Sequence, residues 1–466
     1  MVNGTFRYFA LISLIASGFS HAQTAQQSFD TLPAAPAITD EDWESIGSVF
    51  QGVNGSVYAV ISDRSGSLYV GGWFTSAGGT NASYIAKWNY SAWSTLAGGT
   101  NGNVSCLALA GPGNLYVGGE FTSAGGAPAN RIAKWNGSAW SALGSGTTSA
   151  VSALATDAGN NLYAGGGFTT IGGTAANHIA KWSNSAWSAL GSGTNNSVFA
   201  LATDRLGSLY AGGSFDTAGG LPARYVAKWD GNAWSMLGSG MDGPVMVLAL
   251  DDAGNLYAGG GFTTAGGKAA NHIAKWDGSE WSSLGDGMNN SVIAIAIDNS
   301  GALYAGGYFE TAGGTPASHI ARWNGSAWSV LGSGANGTVY SLTIDGSSRL
   351  YAGGWFTLAG GKVSSYVAQC NIHTSVKQPR VTGNSLPHSI TFNACRGSIR
   401  FHLHSSSIVG YTIITLTGRE VFHSRELLPK GDNTLLINRS NQAQGVYIVQ
   451  VQAGTESRRF RMAVGR

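Results

Sequence analysis

Residues 256–260 read Leu256-Tyr-Ala-Gly-Gly260, and this phrase, with Ala or Val in third place, occurs seven times along the chain. Successive copies are 47 residues apart, and their tyrosines are Tyr69, Tyr116, Tyr163, Tyr210, Tyr257, Tyr304 and Tyr351. A period of roughly 40–50 residues with several strand-like segments per unit is the sequence signature of a β-propeller. The period therefore predicts an all-β fold with seven blades, and it says much less about what the protein binds.

Each unit contains four short apolar segments separated by turn residues. In the fifth copy these are 245–250, 255–260, 272–276 and 281–284, which we name strands a, b, c and d. Segments of about 4–7 residues bounded by Gly, Asn and Asp are typical of antiparallel strands. The sequence thus predicts four-stranded blades, with a Gly-rich loop between strands b and c.

The a–b connection begins with Asp in six of the copies, at Asp63, Asp157, Asp204, Asp251, Asp298 and Asp345. Asp can accept hydrogen bonds from its own turn, and the fourth residue of this turn is Gly in five copies, a residue that tolerates positive φ. The alternative, calcium binding, requires clustered Asp residues in one loop, which no unit has. We therefore predict turn caps here.

Tryptophans five residues apart, such as Trp135 and Trp140, fall on strands c and d, where the wedge between blades widens. A buried Trp removes about 150–250 Å² from water, so we interpret these residues as core. The last copy lacks its strand d, and the matching phrase Trp43-Glu-Ser-Ile46 precedes the first copy. We therefore predict that this N-terminal strand closes the last blade, which leaves no open sheet edge.

The Gly-Gly doublet on strand b, the aromatic that ends strand c and the Trp that opens strand d resemble the kelch type of propeller repeat. The fuller phrase of strands b to d also resembles repeats of secreted bacterial proteins and is similar to the fungal cortical polarity marker. The resemblance covers residues 41–372 and is specific for the fold. It implies little about function, because propellers host many activities.

The N-terminal residues predict export. A signal peptide is indicated by the positive Arg7, a short apolar run over 8–18 and small residues before Gln23. We place this signal peptide at 1–22 and a linker at 23–40. No stretch is long enough to predict a membrane span in the mature chain. The net charge of +2 does not favour nucleic acid as a partner.

The repeat ends at residue 372, and a Pro-containing linker is predicted for 373–389. Alternating segments over 390–466 predict a small Ig-like β-sandwich. The order Leu416-Thr-Gly-Arg-Glu-Val421, Leu428-Pro-Lys-Gly431 and Gly445-Val-Tyr-Ile-Val449, with a basic tail, resembles the type A sorting domain of the type IX secretion system. The resemblance implies that residues 390–466 engage the secretion machinery and that the protein passes through the periplasm to be secreted or held at the cell surface. The alternative is a generic Ig-like adhesion module.

The cysteines and histidines show no clear pattern of metal ligands or disulfides. The chain has three cysteines, of which Cys370 and Cys395 could pair, and the odd number leaves this open. The spacing of His402 and His404 fits a solvated strand face better than zinc, and His178, His272 and His319 occupy one repeat position in separate blades. We predict no metal, no cofactor and no catalytic residues.

A candidate site emerges where the seven copies differ. Two repeat positions carry large aromatics only in some blades: the residue after the Gly-Gly doublet and the residue after the first Val of strand a. Both positions adjoin the b–c and d–a loops. The resulting set, in blades 6, 7, 1 and 2, is Tyr58, Trp73, Glu120, Tyr308, Glu310, Tyr340 and Trp355.

Aromatic faces beside carboxylates suit sugar rings or a polypeptide anchored by aromatics. The alternative is that the seam between the first and last blades needs different packing. The sequence therefore favours an exported, non-enzymatic binding or adhesion protein for glycan or protein ligands. A secreted polysaccharide-acting hydrolase or lyase is the second hypothesis, which blades of equal length, without pocket-forming insertions, favour less.

Overall fold

The structure is a computed structural model that describes residues 37–47, 52–63, 66–111 and 113–372, and seven strands between residues 391 and 464. It divides into two compact units, 1–376 and 377–466. The predicted signal peptide, residues 1–22, lies outside the described residues, as does the predicted linker at 373–389. No helix in the described part of the chain is long and apolar enough to span a membrane.

The first unit is a ring of seven four-stranded antiparallel sheets in the order a-b-c-d, which confirms the predicted propeller. Strand a is innermost, and its neighbours around the ring are the a strands of the adjacent blades. The blades comprise, in order, Val57–Ser62, Leu68–Gly72, Ile85–Trp88 and Trp93–Thr95; Val104–Leu109, Leu115–Gly119, Ile132–Trp135 and Trp140–Ala142; Val151–Thr156, Leu162–Gly166, Ile179–Ser183 and Ala186–Ala189; Val198–Thr203, Leu209–Gly213, Val226–Trp229 and Trp234–Met236; Val245–Leu250, Leu256–Gly260, Ile273–Trp276 and Trp281–Ser283; Val292–Ile297, Leu303–Gly307, Ile320–Trp323 and Trp328–Val330; and Val339–Ile344, Arg349–Gly354, Val367–Asn371 and Trp43–Ser45.

The b–c connections differ from the simple loop that the sequence predicts. Each contains a hairpin of two strands of two residues, such as Ser76–Ala77 with Thr80–Asn81, because the Gly-Gly pair at its tip adopts positive φ. The other hairpins pair Ser123–Ala124 with Ala127–Pro128, Thr170–Ile171 with Thr174–Ala175, Thr217–Ala218 with Leu221–Pro222, Thr264–Ala265 with Lys268–Ala269, Thr311–Ala312 with Thr315–Pro316, and Leu358–Ala359 with Lys362–Val363.

The predicted ring closure is confirmed. Trp43–Ser45 follows a 3₁₀ turn at Asp40–Asp42 and pairs with strand c of blade 7, where Trp43 lies opposite Cys370. The Trp43 side chain is fully buried, and its Nε1 donates a 3.0 Å hydrogen bond to the Leu331 carbonyl of blade 6. Lys362 Nζ donates a 2.7 Å bond to the Trp43 carbonyl. The closing strand is therefore held both by its own blade and by blade 6.

The Gly-Gly doublet is explained by contact between blades. A Cβ added to its first glycine would overlap Cγ1 of the Val that opens strand a of the next blade, and Gly353 meets Val57 in this way across the seam. A Cβ on the second glycine would overlap a backbone carbonyl, as Gly72 shows with Ser56. Only glycine allows this close approach, which sets the spacing of the blades.

The predicted turn caps are confirmed, and the Asp does more than cap. Asp157 Oδ1 accepts from the Asn161 N–H at 2.9 Å, while Oδ2 accepts from the Tyr163 hydroxyl at 3.2 Å. Lys181 lies 3.9 Å from the same carboxylate and 5.3 Å from the Tyr163 ring centre. Burial alone would raise the pKa of Asp157, but the bonds from Asn161 and Tyr163 and the charge of Lys181 outweigh it, so the pKa is lowered.

The paired tryptophans form the outer core, as predicted. In six blades the two rings are tilted against each other with centroids 5.1–5.4 Å apart. The strand d indole also donates to a Leu carbonyl of the preceding blade in every blade except blade 1, where Nε1 of Trp93 is buried without a partner. These bonds link each blade to its predecessor.

Cys370 occupies the position that Trp has in the other blades and is a buried free thiol. Cys106 is a second buried free thiol, and burial raises the pKa of both groups. The suggested partner Cys395 lies outside the described residues. Whether Cys370 and Cys395 pair therefore stays open.

The second unit contains two antiparallel sheets. One has three strands and the other four, with bounds Thr391–Asn393, Ser398–Leu403, Ser407–Thr415, Glu420–Leu428, Gly431–Leu436, Gly445–Ala453 and Glu456–Val464. The five strands predicted here are present; the first and last were not predicted. Two sheets are what a sandwich requires, while the Ig-like arrangement and the boundaries of the segments stay predictions.

Candidate functional site

The candidate site lies on the face of the ring that carries the b–c and d–a connections. In each blade a side chain of the d–a connection accepts backbone N–H groups from the b–c hairpin. Asn54 Oδ1, for example, accepts from Thr75 at 2.8 Å and from Ser76 at 2.9 Å. A β-bridge between the same two connections recurs in all seven blades. The loops of this face are therefore fixed in place before any ligand arrives.

The structure brings three of the predicted tyrosines together. Strand a has a bulge at its second residue in every blade, and in blades 1 and 7 this residue is Tyr58 and Tyr340. Their rings meet edge to face with centroids 5.6 Å apart, and Tyr308 of blade 6 approaches Tyr340 at 6.3 Å. Burial, followed by the neighbouring phenols of Tyr308 and Tyr58, raises the pKa of Tyr340. The three rings form a continuous row across three blades.

The two tryptophans of the candidate set lie at equivalent positions of adjacent blades. Trp73 is 62% exposed and Trp355 is 63% exposed, which is unusual for side chains of this size. Both line one pocket of about 320 Å³. Its other lining residues are Asn54, Gly55, Ser56, Phe74, Thr75 and Tyr366.

The two carboxylates are less closely involved. Glu120 is exposed and accepts a 3.4 Å hydrogen bond from Asn103, and Glu310 is exposed at the start of its hairpin. Within the described residues, neither carboxylate forms a hydrogen bond or ion pair with the five aromatic side chains. The loop at Phe50 and Gln51, expected in the same sector, lies outside the described residues.

The histidines that share a repeat position have a structural role that the sequence did not reveal. All seven residues at this position have φ of 60–65°, the left-handed conformation, at the entry to strand c: Tyr84, Arg131, His178, Tyr225, His272, His319 and Tyr366. At two of these positions the side chain anchors the bend, since Nδ1 of His272 and of His319 lies 3.1 Å from the carbonyls of Gly260 and Gly307, respectively. Burial lowers the pKa of His178. The part of the chain that the structure describes contains no cluster of three potential metal ligands.

Sequence reasoning did not identify Asn54, Thr75 and Tyr366 as neighbours of the tryptophans. Asn54 and Thr75 fall in loops whose partners depend on the hairpin, and Tyr366 resembled an ordinary first residue of strand c. A polar residue recurs three positions before each strand a, Asn54 among them. This recurrence is the signal that could have indicated the hydrogen bonds between the d–a and b–c connections.

Residues 40–201 match the family of the Rax2 C-terminal beta propeller domain, and residues 395–464 match the secretion system C-terminal sorting domain. The protein is a seven-bladed β-propeller, and the segment that follows it in the chain matches a secretion sorting domain. The resemblance to a propeller family is thus confirmed, although the match is to the Rax2 type and the kelch resemblance is not confirmed. The sorting domain indicates that the protein is exported, to the cell surface or the medium, and that secretion machinery handles it.

Among curated proteins none matches this chain. Among solved structures, similar ones are the extracellular domains of a putative one-component system and of a putative hybrid two-component system from B. thetaiotaomicron, at 13% and 12% identity, each with a TM-score of 0.47. Each similarity covers 90% of this chain and 52% of the other, so the chain spans about half the length of those proteins. The WD40 beta propeller domain of Doa1 is 12% identical with a TM-score of 0.46, over 70% of this chain and 95% of that one.

Proposed function

We propose that the protein is an exported, non-enzymatic binding protein whose ligand lies on the b–c and d–a face, over the sector of blades 6, 7, 1 and 2. The observation that carries this proposal is the exposure of Trp73 and Trp355 side by side on one pocket. Exposed aromatic residues that converge on a concave surface are typical of binding sites.

Seam packing does not account for these two indoles. The seam is packed by other groups: Gly353 against Val57, and the Tyr90 hydroxyl, which donates a 3.0 Å bond to Asp345 on the opposite face. Tyr58 and Tyr340 are half-buried and do pack across the seam. Trp73 and Trp355 leave most of their surface in water, so they add little to the contact between the blades.

The tethered loops favour binding over catalysis that requires a closing lid. Each b–c hairpin is held by hydrogen bonds to a side chain of the d–a connection and by a β-bridge. The surface is therefore preorganised and loses little conformational entropy when a ligand binds. The ligand class at this level is a glycan or a surface protein. A polysaccharide-acting hydrolase or lyase is the alternative that the experiment must separate.

The test compares the full exported chain with a double variant, Trp73→Ser with Trp355→Ser, on an array of oligosaccharides and surface proteins. Leu206→Ser is the control, because Leu206 is 93% exposed in an a–b turn on the opposite face. We expect wild type and control to bind the same ligands and the double variant to lose them. Equal binding by the double variant, or release of reducing ends from a bound polysaccharide, would refute the proposal.

We also propose that residues 390–466 are the part that engages the secretion machinery, with support from the match over residues 395–464. Deletion of residues 390–466 should retain the propeller in the periplasm of a host that has a type IX system. Normal appearance of the truncated protein outside the cell would contradict this role.

A further inference from the structure

The pocket between the two exposed tryptophans is lined only by neutral groups. Its eight lining residues provide four aromatic side chains, one amide, three hydroxyls and backbone, with no Lys, Arg, Asp or Glu among them. A charged ligand would lose its hydration there without gaining an opposite charge. The lining therefore selects for a ligand that is uncharged and polar.

Several of the polar groups that remain available can donate hydrogen bonds. Asn54 is largely occupied, since its Oδ1 accepts two backbone N–H groups and one hydrogen of its Nδ2 is donated to Thr75 Oγ1 at 2.9 Å. Thr75 accepts that bond, so its own hydroxyl proton is free to donate outward. In the described part of the chain no partner is found for the indole N–H groups of Trp73 and Trp355, which are mostly exposed. Donors beside flat apolar faces match a ring that carries hydroxyl acceptors around an apolar C–H face.

The size of the pocket also distinguishes ligand classes. A volume of about 320 Å³ is at the low end of the roughly 300–1,000 Å³ range of small-molecule sites. A protein partner would instead bury about 800 Å² of each surface and commonly uses Arg beside its aromatic anchors. One or two sugar rings fit this description better than a protein surface.

The aromatic surface continues beyond the pocket in one direction. Tyr308 occupies in blade 6 the repeat position that Trp355 and Trp73 hold in blades 7 and 1, and it is 45% exposed. Blade 2 has the charged Glu120 at this position. A chain of sugars that leaves the pocket would thus find a further apolar face on the blade 6 side.

We propose that the pocket binds a sugar ring of a neutral polysaccharide between Trp73 and Trp355, and that Tyr308 contacts another sugar of the same chain. This inference rests on the proposed function and narrows its ligand to uncharged glycans. Longer oligosaccharides therefore bind more tightly than shorter ones, through the contact with Tyr308.

The chain offers well-matched variants for the test. The same repeat position holds Ser214 in blade 4 and Gly167 and Gly261 in blades 3 and 5, so the fold accepts a small residue there. Trp73→Ser, Trp355→Ser and Tyr308→Ser each copy blade 4 and leave the propeller intact. Leu206→Ser on the opposite face serves again as the control.

The experiment is affinity electrophoresis of the full chain in gels that contain laminarin, xylan or mannan as neutral probes and heparin or polygalacturonate as anionic probes. Calorimetry with disaccharides and hexasaccharides of the retarding polymer follows. We expect at least one neutral polymer to retard wild type and control, and each Trp variant to bind at least tenfold more weakly. Tyr308→Ser should weaken the hexasaccharide several-fold and leave the disaccharide unchanged.

The outcomes separate this inference from the proposed function. If the Trp variants no longer bind a ligand that is anionic or a protein, the inference of a neutral glycan is wrong, but the proposed binding function of this face is supported. If a bound neutral polymer is unaffected by either Trp variant, both are wrong. If none of the neutral polymers retards wild type, the inference is overturned. The proposed function is then decided by the array of oligosaccharides and surface proteins alone.

Discussion

The closing strand should contribute more to the stability of the ring than its three residues suggest, and Trp43→Ala tests this. The Trp43 side chain is fully buried between blade 7 and the end of blade 6. Burying a Trp removes about 150–250 Å² from water, which at about 25 cal/mol per Å² corresponds to about 4–6 kcal/mol. Measured losses for Trp→Ala in cores are about 3–5 kcal/mol. We therefore expect a loss of about 4–5 kcal/mol, including the unpaired Leu331 carbonyl.

The assay is equilibrium urea unfolding followed by far-ultraviolet circular dichroism, with Trp93→Ala as the matched control. Trp93 holds the same strand d position in blade 1, but it is only half-buried and its Nε1 has no partner. The control should therefore lose clearly less free energy of unfolding than Trp43→Ala. Deletion of residues 41–48 should lower the stability at least as much as the Trp43 variant. An equal or larger loss in the control, or an unchanged midpoint after the deletion, would refute the closure reasoning.

Three further changes test the packing and the turns. Gly353→Ala should cost about 1–3 kcal/mol by overpacking the seam, while Gly346→Ala, where an added Cβ meets nothing within 4 Å, should change the melting temperature little. Trp140→Phe removes a hydrogen bond and should lower the free energy of unfolding by about 1 kcal/mol. Trp93→Phe removes a buried donor that has no partner, so in the same urea assay it should leave the free energy of unfolding unchanged or raise it. The pKa of Asp157 is lowered in the folded state, so its ionised form stabilises the fold at neutral pH and this contribution is lost as pH falls through the lowered pKa. Asp157→Asn should accordingly be less stable than wild type at pH 7, and a difference that did not narrow below about pH 4 would contradict the linkage.

The sequence predicted the features that depend on period and local turn chemistry. Seven blades, the Asp caps and the Trp43 strand all follow from counting phrases at a fixed spacing, because each blade repeats one supersecondary unit. The closure was predictable because the number of strand d phrases equals the number of blades only if Trp43 is included.

Features that depend on distances between blades could not be predicted in this way. The contact of Gly353 with Val57 joins residues at the two ends of the repeats, and the bond from Trp43 to Leu331 depends on the curvature of the ring. The hairpins in the b–c connections were missed because two-residue strands have no periodicity to detect. These elements become visible only when neighbouring blades are placed side by side.

Only part of the geometry of the candidate residues could be predicted from the sequence, and their role as a site stays a prediction. Departures from the repeat correctly singled out Trp73 and Trp355 as neighbours, since equivalent positions in adjacent blades must lie close together. Glu120 and Glu310 are exposed, and in the described part of the chain neither forms a hydrogen bond or ion pair with the aromatic side chains. Their inclusion in a site therefore stays a prediction.

The most direct test of the binding face is hydroxyl-radical footprinting with mass spectrometry, in the presence and absence of a saturating polysaccharide that retards the protein. The account predicts lower oxidation of Trp73 and Trp355 in the complex. Met236, which is 54% exposed at the outer edge of blade 4, provides the internal reference and should be oxidised at the same rate in both states. Unchanged oxidation of the two tryptophans, with protection elsewhere on the ring, would contradict the account.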